Sequence, residues 1–202
     1  MTIDTERLIL RPFTMSDAPV IQRLLNDPRV SDGLLSVGYP FALPDAEKWL
    51  ADRITNRFAI TFKGSLKLCG GIGIHTNAKH PRGEMGYWVG RTYWGRGYAT
   101  ESAQALVKYG FEKLNLQRIA AMHFPRNDAS RRVLEKIGMK REGLLRQYAR
   151  KDGRLEDLIV YSVLRGEAEP LSHSGGSVSN VLFRTEPRPL GSPQGPAAHQ
   201  RR

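Results

Sequence analysis

The sequence predicts a single mixed α/β domain over residues 1–166, followed by a tail over residues 167–202. Three observations carry this reading. Short apolar segments bounded by Gly, Pro and Asp recur along the chain, as half-buried strands do. Longer segments place their apolar residues at helical spacing. From Glu167 onward the composition changes, with five Pro, five Ser and four Gly in the last 36 residues. Val178, Val181, Leu182 and Phe183 are the one local apolar group there. Such a segment buries too little to offset the entropy of ordering it. The tail is expected to be disordered or loosely docked.

The elements follow in order. Arg7 to Phe13 alternates as a strand, and Pro12 marks its end or an edge. Ser16 or Asp17 caps a helix to about Asn26, stopped by Asp27-Pro28. A short helix starts near Pro44-Asp45 and carries Trp49 and Leu50. Phe58 to Phe62 and Leu66 to His75 form a hairpin around Lys63-Gly64-Ser65. Glu84 to Gly90 is a strand. Tyr98 to Leu114 is a helix, with Ala99, Ala103, Leu106, Val107, Gly110, Phe111 and Leu114 on one face. Arg118 to Phe124 is a strand, and Asn127 to Ile137 a helix ended by Gly138. Two last strands, near Met139 to Tyr148 and Leu155 to Leu164, enclose the turn Lys151-Asp152-Gly153. There are no internal repeats.

Composition bounds the function. No apolar run approaches the ~18 residues needed to span a bilayer, so no membrane partner is expected. The opening MTIDTERLIL carries Asp4 and Glu6 and does not read as a secretory signal. Cys69 is the single cysteine, which excludes an intrachain disulfide and a cysteine metal cluster. A reducing, cytoplasmic setting and no metal site are expected. Lys+Arg number 31 against 20 Asp+Glu, a formal net charge of +11. The tail holds four Arg and three Glu, so the basicity belongs to the folded part. A solvated surface accounts for such charge, and so does nucleic acid, the ribosome or a polyanionic small molecule.

The informative stretch is Trp88 to Glu101, WVGRTYWGRGYATE. A strand runs into a glycine loop, and the loop opens a long helix. Successive loop N–H groups, with the unpaired N–H groups of the first helical turn, form an anion site. Gly95 and Gly97 let the backbone approach a phosphate, and Arg96 adds a charged donor. A flexible turn is the plain alternative. The loop is not a Walker loop, because no Gly-Lys-Ser/Thr follows. It lacks the third glycine of a dinucleotide fingerprint.

A second motif follows the next strand, NDASRRVLEKIGMKREG from Asn127. Together, WGRGYATE and this motif resemble the GNAT superfamily of acetyl-CoA-dependent N-acetyltransferases. Within it the chain resembles the RimJ/RimL-type branch that acetylates N-termini of ribosomal proteins. The opening TERLILRPFTMSDA and the EMGYWVG strand fit that branch, and the resemblance spans Thr5 to Gly166. It implies a mostly antiparallel, twisted sheet that splays open between two central strands, here Glu84 to Val89 and Arg118 to Phe124. Helices would flank both faces. The pantetheine arm of acetyl-CoA would lie in the splay, bonded to backbone around Trp88 and Val89. The pyrophosphate would sit on Gly95, Arg96, Gly97, Tyr98, Ala99 and Thr100. Arg96, with Arg131, Arg132 or Lys136, is a candidate for the remaining phosphate charge. The family often has Gln or Arg three positions before the central glycine, where this chain has Trp94. Asn127 inherits a pantetheine contact and is also a candidate helix N-cap.

Acetyl transfer from a thioester to a neutral amine needs a donor for the developing thiolate and an acceptor for the amine proton. Many GNAT enzymes use a Tyr before the Glu-Lys of the second motif, and this chain has Leu134 there. The ribosomal branch has a Ser three residues after the Asn, matching Ser130. Ser130 is therefore the candidate donor, against a plain role satisfying a local backbone group. For the base, Glu84 matches a carboxylate that acts through water in the superfamily, against an exposed strand-end charge. A Glu used by some members corresponds to Ala149 and is absent. His123 is the alternative base, against a packed histidine. His75 and Cys69 read as structural.

Acceptor recognition is expected in the Ser31 to Pro44 loop and the turn at Lys151. Tyr39, Phe41 and Trp49 either wall an acceptor pocket or pack in the core. Arg141, Arg146, Arg150, Lys151 and Arg154 either meet an acidic partner or ribosomal RNA, or form a solvated hairpin surface. The expected activity is acetylation of a protein N-terminal α-amine. The alternatives are a small-molecule amine such as an aminoglycoside or polyamine, and a non-catalytic ribosome- or RNA-binding module on the same fold. A monomer and a homodimer both remain open.

Overall fold

The computed structural model describes residues 1–52, 55–168 and 182–184. Nine strands among these residues form one sheet in the order β7-β8-β6-β5-β4-β3-β2-β1-β9. The strands are β1 Thr2–Asp4, β2 Leu8–Pro12, β3 Arg57–Phe62, β4 Leu68–Thr76, β5 Arg82–Val89, β6 Arg118–His123, β7 Lys140–Lys151, β8 Arg154–Leu164 and β9 Leu182–Arg184. The helices are α1 Ala18–Leu25, α2 Pro28–Ser31, α3 Leu43–Ala51, α4 Tyr98–Glu112, α5 Asp128–Lys136 and α6 Arg165–Ala168. Every strand pair is antiparallel except β5 with β6.

The expected elements are present, with informative differences. Pro12 is the last residue of β2, where its missing N–H costs no ladder bond. Asp27-Pro28 does end α1, but the same pair opens α2. Asp27 Oδ1 accepts from Arg29 N–H at 2.9 Å, and Pro28 supplies a preset φ at the first helical position. The β7–β8 hairpin turns on Asp152 and Gly153, both with positive φ (48° and 82°), as a two-residue hairpin loop requires. The 1–166 boundary falls inside α6. Glu167 bonds back to Lys140 Nζ at 2.6 Å and to the Leu164 N–H at 3.1 Å. Leu182–Arg184 pairs with β1. The rest of the tail lies outside the described residues.

Helices cover both faces of the sheet. Side chains alternate along each strand, so Met85 and Val89 of β5 join the core under α4 and α5, with Leu106, Phe111, Ile119 and Leu134. Trp88 points the other way, into a second core with Ile21, Leu25, Phe41 and Ala46.

The register between β5 and β6 positions everything that follows. They pair only at Arg82 with Arg118, Gly83 with Ile119, and Glu84 with Ala120. Beyond that, β5 stays paired with β4 through Val89, and β6 with β8 through His123. The two strands therefore diverge, and the sheet splays between Met85–Val89 and Ala121–His123.

On the outer side of the splay, Arg118 of β6 reaches across β8 to Glu142 of β7, which also accepts from Ser162 Oγ at 2.6 Å. The Arg118 guanidinium, helped by Ser162, holds the Glu142 carboxyl down at about 2. The folded value lies below the ordinary ~4.3 of a free Glu, so the pair stabilises fully above about pH 4.3 and is lost as pH falls towards 2. Glu142→Gln is expected to flatten the Tm-against-pH curve over that acid window, with a Tm below wild type at neutral pH and the two curves converging as pH falls towards 2. The effect should shrink in high salt, because the pair is partly exposed.

Candidate active site

The site begins with the peptide groups of β5. In an antiparallel ladder, alternate residues direct N–H and C=O to opposite sides. Asn77 N donates to Arg82 O at 3.2 Å and Gly90 N to Cys69 O at 2.9 Å, one bond at each end of the β4–β5 ladder. Both involve even-numbered residues on the β5 side. Trp88 therefore turns its peptide groups to Gly71 of β4, while Met85, Tyr87 and Val89 turn theirs to the splay. The odd parity is already visible where Gln117 N, just before β6, donates to Pro81 O at 2.6 Å. The splay thus has a row of peptide donors and acceptors on its β5 side.

Val89 C=O receives one bond within the chain, from Trp94 Nε1 at 2.6 Å. Trp94 is 46% exposed. The indole stands where the superfamily often has Gln or Arg, and it lies over the open end of the splay.

After Val89 the chain makes a one-turn 3-10 helix, Arg91–Tyr93, and enters the glycine loop. Gly95 has φ 74° and Gly97 φ 81°, left-handed values that side chains oppose. Gly97 is the N-cap of α4. The first intrahelical bond runs from Glu101 N to Gly97 O at 3.0 Å, so the N–H groups of Tyr98, Ala99 and Thr100 precede the ladder. Nothing lies within 4 Å of a Cβ built on Gly95. These features fit a pyrophosphate: open loop, free first-turn donors and the exposed Arg96.

Sequence reasoning missed the support under this loop. Glu101, in the first turn of α4, accepts from Thr5 Oγ1 at 2.6 Å, Arg7 N–H at 2.8 Å and Arg7 Nε at 2.7 Å. Burial alone would raise the Glu101 pKa, but these bonds outweigh it and hold the carboxyl below its ordinary value. Arg7 also donates to the Arg96 carbonyl at 3.1 Å, and its guanidinium lies 4.9 Å from the Tyr98 ring centre. The segment before β2 therefore braces the glycine loop. Residues some 94 positions apart give no local sequence signal for this contact.

After β6 the chain enters α5, which packs against α4. Asn127 is its N-cap, with Oδ1 accepting from Ser130 N–H at 3.0 Å. Ser130 Oγ shares a hydrogen bond of 2.9 Å with the Tyr87 hydroxyl. Burial pushes the Tyr87 phenol up to about 12, against the Ser130 bond, which lowers it. The phenol is therefore neutral at physiological pH. Sequence reasoning held Tyr87 only as part of the EMGYWVG strand.

The other candidates are spread around this centre. Glu84 is the last β5 residue paired with β6, and its side chain is exposed. By alternation it projects from the face opposite Tyr87. Ser130 and Glu84 therefore flank the splay from its two faces. His123 is 4% exposed and packs against Tyr161, with ring centres 5.5 Å apart. Its Nδ1 lies 2.8 Å from the Phe124 carbonyl, so Nδ1 carries the proton. Nε2 is buried without a partner among the described residues. Arg131 is engaged at home by Asp128 and Glu135 at 3.1 Å each, whereas Arg132 and Lys136 are exposed. Cys69 is fully buried, and burial raises its thiol to about 12, outside the reactive range.

The two segments expected to recognise the acceptor meet each other. Lys151 is 5% exposed and donates from Nζ to the Val37 carbonyl at 3.0 Å. It is therefore set apart from the exposed Arg146, Arg150 and Arg154. A buried ammonium needs partners, and Val37 with Asp152 at 3.4 Å supplies them. Arg126 adds a second clasp, bonding Asp32 after α2 at 3.1 Å and Glu156 of β8 at 2.8 Å. The loop after α2 is thus strapped to the β7–β8 hairpin. Phe41 is buried in the second core, and Trp49 packs on its edge beneath the Arg57 guanidinium, 3.7 Å from the ring centre. Tyr39 is exposed.

Comparison with known proteins accords with this geometry. The model of the acetyltransferase (GNAT) domain matches residues 7–140. The uncharacterized N-acetyltransferase p20 of Bacillus licheniformis is 35% identical over 175 residues, 82% of this chain and 97% of that protein. YdaF of Bacillus subtilis, provisionally described as a ribosomal N-acetyltransferase, is 34% identical over 128 residues, 63% of this chain and 69% of that one. The crystal structure of a GNAT-family acetyltransferase from Bacillus anthracis superposes with a TM-score of 0.77 at 32% identity, covering 83% of this chain and 100% of that one. A splayed sheet, a glycine loop opening α4 and family likeness across the domain lead to one conclusion: the chain belongs to the GNAT family and is an N-acetyltransferase that draws its acetyl group from acetyl-CoA.

Proposed function

We propose that this enzyme acetylates the α-amine of a protein N-terminus, of the ribosomal-protein type, in the cytoplasm. The observation that carries the acceptor class is the likeness to a ribosomal N-acetyltransferase over the 128 residues shared with YdaF. The β7–β8 hairpin supports it, since its exposed Arg146, Arg150 and Arg154 offer a basic surface to a polypeptide or to the ribosome that carries it, with the α2 loop strapped beside them. Among the described residues no helix is long and apolar enough to cross a membrane.

The residues divide the work as follows. The backbone of Gly95, Arg96, Gly97, Tyr98, Ala99 and Thr100 holds the pyrophosphate, with the Arg96 side chain adding charge. The β5 peptides around Trp88 and Val89, with Asn127, hold the pantetheine arm. In this reading the arm meets the peptides of Tyr87 and Val89, since those of Trp88 are turned to β4. Acetyl-CoA, when bound, supplies a thioester open to attack by a neutral amine. Ser130 donates a hydrogen bond to the leaving sulfur. Glu84 takes the amine proton through water. Its exposed carboxylate can pass that proton to solvent, whereas His123 is sealed in the core.

The test is CoA thiol release measured across peptides with free N-termini, aminoglycosides and polyamines. N-terminal peptides are expected to give the highest kcat/KM, with acetylation at the α-amine and not at lysine by mass spectrometry. A polyamine or aminoglycoside turned over ten times more efficiently would overturn the acceptor assignment.

A further inference from the structure

We propose that Tyr87 is a positioning residue for acetyl transfer, its phenol fixing the Ser130 hydroxyl so that Ser130's own hydrogen is free for the leaving sulfur. The inference rests on the reading of Ser130 given above and extends it to a residue that reading does not use.

The geometry supplies the reason. Tyr87 lies on β5 beyond the last pair with β6, and its peptide groups face the splay. Its ring reaches out to the first turn of α5, where its hydroxyl is 2.9 Å from Ser130 Oγ. One residue thus contributes backbone to the opening and a side chain to the hydroxyl beside it. A serine near a helix N-terminus ordinarily bonds a local backbone group. Among the described residues, Ser130 Oγ makes no such bond. Its own N–H is already taken by Asn127.

The direction of the shared bond follows from acidity. A phenol is a stronger donor than an alkyl hydroxyl; the Tyr87 hydroxyl also lies 3.4 Å from the Ser130 carbonyl, and we assign its one hydrogen to the shorter contact, at 2.9 Å, with Ser130 Oγ accepting. That leaves the serine hydrogen without an internal partner. It also selects one of the three staggered positions the serine would otherwise sample. When the amine nitrogen has bonded to the acetyl carbon and the carbon–sulfur bond breaks, that bond's electron pair stays on sulfur, and the aimed Ser130 O–H stabilises the charge. The proton that finally resides on sulfur is matched by the one the acceptor amine releases, so no further reactant is needed. Tyr87 keeps its own proton throughout.

The experiment is a double-mutant cycle with Tyr87→Phe, Ser130→Ala and the pair, read in kcat, in KM for acetyl-CoA and in melting temperature. Phenylalanine keeps the ring that packs beside the core. Tyr87→Phe is expected to lower kcat about tenfold with KM and Tm little changed, and to lower it no further on the Ser130→Ala background. A purely structural tyrosine would move Tm and leave kcat uncoupled to Ser130. If Ser130→Ala is slow while Tyr87→Phe turns over at the wild-type rate, the positioning role is wrong and the Ser130 reading stands. Equal losses from Tyr87→Phe with and without Ser130 overturn it as well. An unimpaired Ser130→Ala enzyme overturns the Ser130 reading and this inference with it.

Discussion

Gly97→Trp is expected to abolish measurable acetyl-CoA binding, a loss of at least about a hundredfold in Kd, or ~2.7 kcal/mol. Two effects combine at this position. Gly97 holds φ at 81° as the N-cap of α4, a left-handed conformation that costs a residue with a Cβ about 1–2 kcal/mol. The new side chain would also occupy the loop surface that the first-turn N–H groups face. A Cβ on Gly97 already meets Arg7 Nη2 at 3.3 Å, so the indole crowds the Arg7 brace as well as the anion site. The strain should lower Tm by a few degrees, since ~1 kcal/mol moves a domain of this size by about 2–4 °C. A cooperative melt should persist. Gly97→Asn separates the two effects, because Asn tolerates left-handed backbone. It should keep the wild-type Tm and lose only part of the affinity. Calorimetry showing Gly97→Trp within threefold of wild-type affinity would refute the anion-loop assignment.

That prediction rests on a stretch that was legible in the sequence, and the reason is physical. A strand, a two-glycine loop and a helix start are local, and their constraints act within about a dozen residues. Asn127 as the cap of α5 was legible for the same reason. β1 was not, because Thr2–Asp4 is too short to carry a period, and it is a strand only through its pairing with β2 and β9. The same holds for what ties the site together. Arg7 with Glu101, Arg126 with Asp32 and Glu156, and Lys151 with Val37 join residues that are distant along the chain. Lys151 is the sharpest case. In the sequence it is one cation in an arginine-rich hairpin, whose default is a solvated surface. Its burial depends on a carbonyl 114 residues away. Tyr87 shows the other limit, since alternation places its ring on one face of β5 but cannot say which hydroxyl it will meet there.

Ser130→Ala carries the second large effect. General acid assistance from a positioned side chain is worth about 10²–10⁴-fold, and a hydroxyl that donates without ionising belongs at the lower end, so kcat is expected to fall about a hundredfold. Acetyl-CoA affinity should hold, because the pyrophosphate loop and the β5 peptides are untouched. Stability pulls in two directions. The change removes the bond to Tyr87, worth ~1 kcal/mol. It also replaces serine by the best helix former within α5, which returns part of that. Tm should therefore move little, and a slow enzyme cannot be ascribed to a melted α5. The decisive measurement is the single-turnover rate at saturating peptide and acetyl-CoA, where product release no longer hides the chemical step. A fall there, at unchanged Kd, places the hydroxyl at the reacting bond. An unchanged single-turnover rate removes Ser130 from the mechanism, and the thiolate must then find its donor elsewhere along the splay.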